Sequence, residues 1–279
     1  MARVLIVIPA RYHSTRLPGK PLVKIRGVAM VERVARVAAA ACRDVTGCTY
    51  VVATDHAAIE RFCREREIPV VMTPGDCRDG TERCLHATVE VERVTGETPR
   101  LVVNLQGDNP LCPPPVVRDL VRAWEEDPGA AVYTPCTRLD WEAYDALAEA
   151  KKTTPYSGTT VLVDKFMNAL AFSKGMLPVI RRPGEARRLS AFSPARRHVG
   201  VYAYSRETLA RYATLDPSPL ERPEIEGLEQ TRFLYNGLKV RVVEVDLQGL
   251  EAITGVDSAE DVARVEEILA RRGEPDAGP

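Results

Sequence analysis

A cluster of cationic side chains lies near the start of the sequence, in the segment 9–21. Arg11, Arg16 and Lys20 fall within ten residues of one another, directly after the apolar run 3–8. Guanidinium groups can fork phosphate oxygens and an ammonium adds a point charge, so this spacing favours a triphosphate site. A solvated basic loop is the structural alternative. The segment is neither a Walker A loop nor a Gly-x-Gly-x-x-Gly turn.

Two carboxylates occupy comparable positions further along the sequence. Asp108 follows the apolar run 101–105 within a Gln-Gly-Asp-Asn-Pro segment, and Asp257 precedes the last predicted helix. Carboxylates beside a triphosphate commonly hold Mg²⁺, which bridges phosphate oxygens and neutralises their charge. The structural alternatives are an ordinary turn for Asp108 and a helix N-cap for Asp257.

A further candidate is the segment 79–83, Asp-Gly-Thr-Glu-Arg, at a predicted helix start. Backbone N–H groups at the start of a helix can bind a phosphate or a polar ring. A plain capped helix is the structural alternative.

Strand-like runs alternate with helical patterns through the first half of the chain. This order predicts an α/β fold, a Rossmann-like and mostly parallel sheet with helices on both faces. Ligands bind at the carboxyl ends of such strands, so the residues after Ile8, Ala53 and Leu105 are the first candidates. The predicted strands are 3–8, 49–53, 69–72 and 101–105, and the predicted helices are 30–41, 57–67, 81–94 and 116–126.

In the second half, the strand-like runs are not all separated by helical patterns, and this predicts a smaller mixed sheet. Its strand-like runs are 131–136, 160–163, 169–172, 199–204 and 240–245, with partly antiparallel pairing expected. The segment 174–197 predicts a long basic loop, and Pro217 begins a predicted helix that runs to Tyr235. Ser258 fits a capping box for a last helix that ends near Arg272. We predict one domain over 1–272, with a nucleotide-binding half at about 1–130, an acceptor and dimerisation subregion at about 131–250 and a flexible tail over 273–279.

Composition excludes several classes of protein. Lys and Arg number 38 against 39 Asp and Glu in 279 residues, and this balance removes the argument for a nucleic-acid scaffold. No apolar run reaches the roughly 18 residues of a membrane span, and the first run is too short for a signal peptide, so we expect a cytoplasmic protein. The seven cysteines include no Cys-x-x-Cys pair, which favours reduced thiols over a disulfide framework or zinc site.

Taken together, these motifs resemble the 3-deoxy-manno-octulosonate cytidylyltransferase family, also called CMP-Kdo synthetases. They occur in the family's order and with similar spacing over nearly the whole chain. The matching segments are Ile8-Pro9-Ala10-Arg11, Ser14-Thr15-Arg16-Leu17-Pro18-Gly19-Lys20-Pro21, Val51-Val52-Ala53-Thr54-Asp55, Gly80-Thr81-Glu82-Arg83, Gln106-Gly107-Asp108, His198-Val199-Gly200-Val201-Tyr202, Pro217-Ser218-Pro219-Leu220-Glu221, Leu228-Glu229-Gln230 and Gly255-Val256-Asp257.

The resemblance implies a fold of the nucleotide-diphospho-sugar transferase type, a Mg²⁺ cofactor and a homodimer. It also implies a reaction in which the anomeric hydroxyl of an acidic sugar attacks the α-phosphate of CTP. CMP-sugar forms and pyrophosphate leaves. The product would feed lipopolysaccharide biosynthesis if the acceptor is 3-deoxy-manno-octulosonate.

The resemblance also implies roles for individual residues. The catalytic residues would be Arg11, Arg16, Lys20 and Asp108. The nucleotide-binding residues would be Pro9, Ala10, Arg11, Thr15, Arg16, Lys20, Gly80, Thr81, Arg83 and Gln106. The acceptor-binding residues would be Lys174, His198, Tyr202, Glu229 and Gln230. The metal-binding residues would be Asp108 and Asp257.

Departures from the family pattern in the segment 153–160, in the long basic loop 181–197 and at two single residues leave the acceptor open. Asn109 stands where the family usually has Glu, and Lys174 stands where it has Arg, whose bidentate fork a lysine cannot reproduce. The acceptor could therefore be 3-deoxy-manno-octulosonate, another ulosonate or a phosphonate. A glycosyltransferase that consumes a nucleotide sugar is the alternative enzyme class, but its usual Asp-x-Asp is lacking at 108–110. A non-catalytic nucleotide-binding regulator is a third class, and it has little need of a second carboxylate at Asp257.

Structural alternatives also apply to the implied acceptor residues. His198 could be a strand histidine that packs against its neighbours. Glu229 and Gln230 fall in the middle of the predicted helix, where solvated polar side chains are the default.

Overall fold

Two compact units make up the chain, and the chain crosses between them four times. The first unit consists of Met1–Arg122, Gly200–Ala213 and Leu247–Pro279, and the second consists of Ala123–Val199 and Thr214–Asp246. The computed structural model describes residues 3–14, 16–247, 249 and 255–273.

The strands and helices are numbered in chain order. The strands are β1 (Val4–Ala10), β2 (Lys24–Ile25), β3 (Val28–Ala29), β4 (Cys48–Thr54), β5 (Val70–Met72), β6 (Leu101–Leu105), β7 (Val132–Asp140), β8 (Thr159–Val163), β9 (Ala169–Ser173), β10 (Phe192–His198), β11 (Val201–Ser205) and β12 (Val240–Glu244). The helices are α1 (Met30–Asp44), α2 (Ala57–Glu65), α3 (Gly80–Thr95), α4 (Pro115–Glu126), α5 (Trp141–Thr153), α6 (Pro183–Leu189), α7 (Arg206–Arg211), α8 (Thr231–Tyr235) and α9 (Ala259–Arg272).

The first unit is built on a mostly parallel sheet, as the sequence predicts. Strands β5, β4, β1 and β6 lie side by side in parallel, and β11 pairs with β6 in the antiparallel direction. β6 is buried along its whole length, and the apolar residues of β1 are buried too. Such near-continuous apolar runs are typical of strands covered on both faces. The carboxyl ends of β1, β4 and β6 therefore meet at one edge of this sheet.

Two helices of this unit, α3 and α9, begin at side-chain caps that the sequence indicates. The Asp79 carboxylate accepts a hydrogen bond from the Glu82 N–H at the start of α3. Ser258 and Asp261 form a reciprocal capping box at the start of α9, which confirms the predicted boundary. These caps satisfy N–H groups that have no partner inside the helix.

The second unit contains the predicted mixed sheet. β7 pairs with β10 in the antiparallel direction and with β12 in parallel, and β8 lies antiparallel to both β10 and β9. The strand-like runs predicted around 131–136, 160–163 and 169–172 are confirmed as parts of β7, β8 and β9.

Two predicted elements of the second half are wrong. The segment 174–197 is not one long loop, because it contains α6 and most of β10. Ser193 and Ala195 of β10 alternate inward, while the basic residues around them obscure the pattern. The helix predicted from Pro217 to Tyr235 is also broken, because Pro223 lacks an N–H and Gly227 adopts a φ of 62°.

That segment holds a 3₁₀ turn at Pro219–Glu221 and then only the short helix α8. Helices α5 and α7 have no counterpart among the predicted elements.

Two further findings concern membrane segments and thiols. Among the described residues, no helix is long and apolar enough to cross a membrane. The seven cysteines, all within the described residues, are present as reduced thiols.

Candidate active site

The centre of the candidate site is a lysine held between two carboxylates. Lys20 Nζ lies 2.8 Å from Asp108 Oδ2 and 2.9 Å from Asp257 Oδ1. Lys20 begins a 3₁₀ turn at the end of the segment 9–21 (the basic segment), Asp108 follows β6, and Asp257 precedes α9. The structure thus brings together three of the predicted residues from distant parts of the chain, all within the first unit.

An apolar cluster that includes chain neighbours of Asp108 and Asp257 fixes the positions of these residues. Met30 of α1, Leu111 and Val256 are buried together with Val265 and Leu269 of α9. The Val256 N–H also donates to the Asp108 carbonyl oxygen at 2.9 Å. Because Val256 is anchored on both counts, its neighbour Asp257 is held beside Asp108.

The charges of the centre compensate one another. Burial alone would lower the pKa of Lys20, but the carboxylates of Asp108 and Asp257 outweigh it and raise that pKa. Burial alone would raise the pKa of Asp257, but Lys20 and the Arg16 guanidinium, 3.0 Å away, lower it. Asp257 is therefore ionised and Lys20 protonated at neutral pH.

The two carboxylates fit a magnesium ion. Their oxygens converge on one point that a cation, the Lys20 ammonium, already occupies. The described residues contain no group of three or more His, Cys, Asp or Glu side chains placed to hold a metal. Mg²⁺ commonly takes one or two carboxylates and completes its shell with substrate phosphates and water, so two carboxylates suffice.

Gly107 allows the end of β6 to approach the end of β1. A Cβ added at Gly107 would stand far inside van der Waals contact with the Pro9 carbonyl oxygen. Only glycine fits without a backbone shift, and this explains the middle residue of the Gln-Gly-Asp segment. The close approach brings the Gln-Gly-Asp segment against Pro9 at the carboxyl end of β1.

Asn109, one of the two single-residue departures from the family pattern, has a structural role. Its side chain is 6% exposed, and its Nδ2 donates to the Gly200 carbonyl oxygen at 3.2 Å. A glutamate carboxylate could not donate that hydrogen bond. The substitution is therefore matched to its surroundings.

The start of α3 faces two amide side chains. A Cβ on Gly80 would lie 3.4 Å from Asn104 Nδ2 and 3.5 Å from Gln106 Nε2. Asn104, the penultimate residue of β6, is fully buried, and neither polar atom of its amide has a hydrogen-bond partner within the described part of the chain. Asn104 had no predicted role, although its amide as the one polar side chain in the apolar run 101–105 was a signal for it.

Asp55, another residue without a predicted role, ties the basic segment to α3. Its carboxylate accepts from the Tyr12 N–H at 3.2 Å and from Arg83 Nη2 at 3.0 Å. Arg83 also donates to Thr73 Oγ1, and it is 3% exposed. The structure thus places Arg83 in a buried ion pair, and its predicted contact with a nucleotide stays a prediction.

The other predicted nucleotide-binding residues differ in exposure. Arg11 is exposed, and the Arg16 side chain is 67% exposed. The Thr81 hydroxyl is buried 2.9 Å from the Tyr204 hydroxyl. Thr15 lies outside the described residues.

Lys174 lies in the second unit in a strongly charged environment. The Glu226 carboxylate accepts from the Lys174 N–H at 2.6 Å and from the Ser173 hydroxyl at 2.7 Å. Lys151 Nζ donates to the Lys174 carbonyl oxygen. Burial and the charges of Lys174 and Arg197 lower the pKa of Lys151 to about 8. This environment fixes the backbone on both sides of the Lys174 side chain.

His198 is packed inside the second unit. Its Nε2 lies 2.8 Å from Thr134 Oγ1, and its ring meets Phe172 edge to face with centroids 5.0 Å apart. Burial, assisted by the charge of Lys174, lowers the pKa of His198 to about 3. These contacts match the structural alternative, and a role in acceptor binding stays a prediction.

The remaining predicted acceptor residues are also placed. Tyr202 belongs to the first unit and stacks on Tyr204 with centroids 6.2 Å apart. Glu229 and Gln230 lie in the turn before α8 rather than in the middle of a helix, and Gln230 is 2% exposed. The expectation of mid-helix positions is therefore wrong.

Comparisons with known proteins agree on one family. The cytidylyltransferase family model matches residues 5–242. The 3-deoxy-manno-octulosonate cytidylyltransferase of Maricaulis maris is 43% identical over 272 residues, 97% of this chain and 98% of its own. The mitochondrial 3-deoxy-manno-octulosonate cytidylyltransferase of Arabidopsis thaliana is 35% identical over 272 residues, 97% of this chain and 84% of its own.

Solved structures give the same result. A CMP:2-keto-3-deoxy-manno-octonic acid synthetase complexed with CTP matches with a TM-score of 0.78 and 33% identity, over 96% of this chain and 99% of that chain. A cytidylyltransferase from Leptospira borgpetersenii has a TM-score of 0.57 and 15% identity, over 97% of this chain and 88% of that chain, and shows the fold alone.

Proposed function

The chain belongs to the cytidylyltransferase family and, within it, to the 3-deoxy-manno-octulosonate cytidylyltransferases, and from this premise we propose that it couples CTP to 3-deoxy-manno-octulosonate. The products are the CMP-sugar and pyrophosphate. The observation that carries the proposal is the Lys20–Asp108–Asp257 centre at the carboxyl edge of the parallel sheet, beside the basic segment.

The basic segment supplies the charge that the reaction needs. The acceptor hydroxyl gives up its proton to solvent and attacks the α-phosphorus, the bond from that phosphorus to the oxygen it shares with the β-phosphate breaks, and pyrophosphate leaves with the electron pair. Arg11, Arg16 and Lys20 offset the negative charge that repels the nucleophile and that builds on the leaving group. The protein orients the reactants rather than forming a covalent intermediate.

Asp108 and Asp257 would hold Mg²⁺ in this proposal. When bound, the ion neutralises charge on the triphosphate and lowers the pKa of the acceptor hydroxyl. Two carboxylates at this spacing repel each other unless a cation lies between them, and the Lys20 ammonium is that cation in the protein alone. Lys20 thereby keeps the carboxylates in place for the ion.

Lys174 supplies a positive charge for the carboxylate of the acceptor. Glu226 and Lys151 fix its backbone through the Lys174 N–H and carbonyl oxygen. A lysine offers a point charge where the family has the bidentate guanidinium group of an arginine. We therefore expect acceptor binding to depend less on the orientation of the acceptor carboxylate. Other ulosonates and phosphonates are the competing acceptors.

The test is pyrophosphate release from CTP and Mg²⁺ with a panel of acceptors. We expect release with 3-deoxy-manno-octulosonate and little with other ulosonates or simple phosphonates. Mass spectrometry should identify the CMP-linked product. Release only with another acceptor would overturn the proposed substrate while keeping the cytidylyl transfer. No release with any member of the panel would overturn both.

Replacement of the carboxylate at Asp108 tests the site itself. Asp108→Asn should lower kcat at least about a hundredfold, because one ligand charge for Mg²⁺ is lost. Asp119→Asn is the matched control. Asp119 lies on α4, and within the described residues its carboxylate forms an ion pair with the exposed Arg118. Normal turnover by a folded Asp108→Asn protein would contradict the assignment.

We also propose that the enzyme acts in the cytoplasm as a homodimer. The family resemblance supports both, and the described helices contain no membrane span. Light scattering of the purified chain would test the dimer, and a monomer with full activity would contradict it.

A further inference from the structure

Two thiols of the first unit lie unusually close together. Cys42 is in the last turn of α1 and Cys48 is the first residue of β4. Their sulfur atoms are 2.8 Å apart. Non-bonded heavy atoms usually sit about 3.5–4.0 Å apart, while a disulfide bond is about 2.05 Å long. The two sulfur atoms are therefore well inside ordinary contact distance, although they are not bonded.

The two thiols are also suited to successive steps of thiol–disulfide exchange. Both are partly exposed, whereas Cys63, Cys112 and Cys136 are buried. The Cys48 S–H can donate to the Cys42 sulfur, which lowers the pKa of Cys42 and raises that of Cys48. Cys42 is then the better thiolate for a first attack, and Cys48 stands ready for the second.

We propose that Cys42 and Cys48 form a reversible disulfide on reaction with a small-molecule disulfide such as oxidised glutathione. The Cys42 thiolate attacks one sulfur of oxidised glutathione, forms a mixed disulfide and releases one glutathione thiolate. Cys48 loses its proton and attacks Cys42 Sγ, which forms the intramolecular disulfide and releases a second glutathione. The protein thiols are oxidised by two electrons and the small disulfide is reduced.

The position of the pair predicts the effect of oxidation. Cys48 is at the amino end of β4, whereas Asp55 and the candidate active site lie beyond the carboxyl end of that strand. The bond would join α1 to β4 across the short segment 43–47 without contact with Lys20, Asp108 or Asp257. We therefore expect a rise in melting temperature of several degrees with little change in pyrophosphate release.

The experiment follows oxidation of the purified full chain by oxidised glutathione. Arg43 lies between the two cysteines, so trypsin separates them into peptides 37–43 and 44–61. The expected product is a cross-linked pair of these peptides, lighter than the sum of the two reduced peptides by two hydrogens. Dithiothreitol should restore the separate peptides.

Three variants distinguish the proposed order of events. Cys48→Ser should retain glutathione on Cys42, because the second thiol is missing, while Cys42→Ser should react much more slowly. Cys77→Ser is the matched control, since Cys77 is also partly exposed, and it should behave as the wild type. A wild-type protein that carries glutathione without the cross-link, or whose Cys42 and Cys48 stay reduced after Cys77 has reacted, would overturn the proposal.

Discussion

At the scale of single residues, the candidate site depends on two features with no charge. Gly107 lets the Gln-Gly-Asp segment pass the Pro9 carbonyl group, and Asn104 places an amide beside Gly80 and Gln106. Both determine where the neighbouring polar groups stand.

Gly107→Ala should disrupt the site. The added methyl group would press on the Pro9 carbonyl oxygen, so the backbone must shift, at a cost of about 1–3 kcal/mol in the free energy of unfolding. We expect kcat/KM for CTP to fall at least tenfold, as measured by pyrophosphate release. Gly75→Ala is the control, because a Cβ there meets open space. Equal activity of the two variants would show that the close approach has no importance.

Asn104→Leu should stabilise the protein and weaken its activity. A buried amide without hydrogen bonds is unfavourable, and its removal should raise the free energy of unfolding by about 1 kcal/mol. The loss of the amide beside Gln106 should lower kcat/KM for CTP several-fold. Asn236→Leu is the contrast, because the Asn236 amide donates to Asp216 and Arg232 and its loss should destabilise. Urea denaturation distinguishes these signs, and a destabilised Asn104→Leu would contradict the argument.

At the scale of elements, ion pairs fasten the loops at the carboxyl ends of the strands. Asp55 after β4 joins Arg83 of α3 and the Tyr12 N–H of the basic segment. The Arg83 and Asp55 side chains are only 3% and 10% exposed, so water contributes little screening. Loss of one partner would leave the other buried and uncompensated.

Arg83→Met should therefore be strongly destabilising. Removal of one partner of a buried pair costs about 3–5 kcal/mol. Arg64→Met removes an exposed pair with Glu60 one turn away on α2 and should cost no more than about 0.5 kcal/mol. Chemical denaturation of both variants gives the comparison. A loss of less than 1 kcal/mol in the free energy of unfolding of Arg83→Met would show that this ion pair does not hold the loops together.

The elements also show how far local patterns reach. β1, β4, β5 and β6 were predictable to within one or two residues, because each is a short apolar run between turn signals. β10 was not predicted, because its arginines are typical of a solvated loop. The aliphatic stems of arginine side chains can nevertheless lie along a strand. The helix expected from Pro217 ignored Pro223 and the positive φ of Gly227.

The residue types of the site could be predicted from the sequence, but the contacts between those residues could not. Lys20, Asp108 and Asp257 follow from charge and position near strand ends and helix starts. The Lys20–Asp257 contact spans 237 positions, and no local pattern carries such a distance. The same limit hid the pairing of Asp55 with Arg83 and the hydrogen bond from Asn109 to the Gly200 carbonyl group.

At the scale of the whole molecule, one buried histidine gives stability a dependence on pH. The pKa of His198 is lowered to about 3 by burial, and by the charge of Lys174, from its ordinary value near 6.5. Below pH 6.5 this histidine therefore binds a proton in the unfolded chain, whereas in the folded chain it stays neutral until the pH approaches 3. Stability from this group is complete above pH 6.5 and falls as the pH drops toward 3.

His198→Gln should reduce that dependence. Between pH 7 and pH 4.5 we expect the wild type to lose about 2–3 kcal/mol more than the variant, at about 1.4 kcal/mol per pH unit below 6.5. His86→Gln, at an exposed position on α3, should follow the wild type. Urea titrations at the two pH values provide the numbers. Parallel losses in wild type and His198→Gln would exclude this histidine as the source.

The division of the first unit into three chain segments has a consequence for synthesis. At about 5–20 residues per second, a ribosome makes Asp257 some tens of seconds after Lys20, because 237 positions separate them. Until β11 emerges, the edge of β6 that it pairs with is bare, and β6 is an apolar strand. Bare apolar edges recruit other chains. The growing polypeptide therefore passes through an interval in which it is prone to aggregate and a natural client for chaperones.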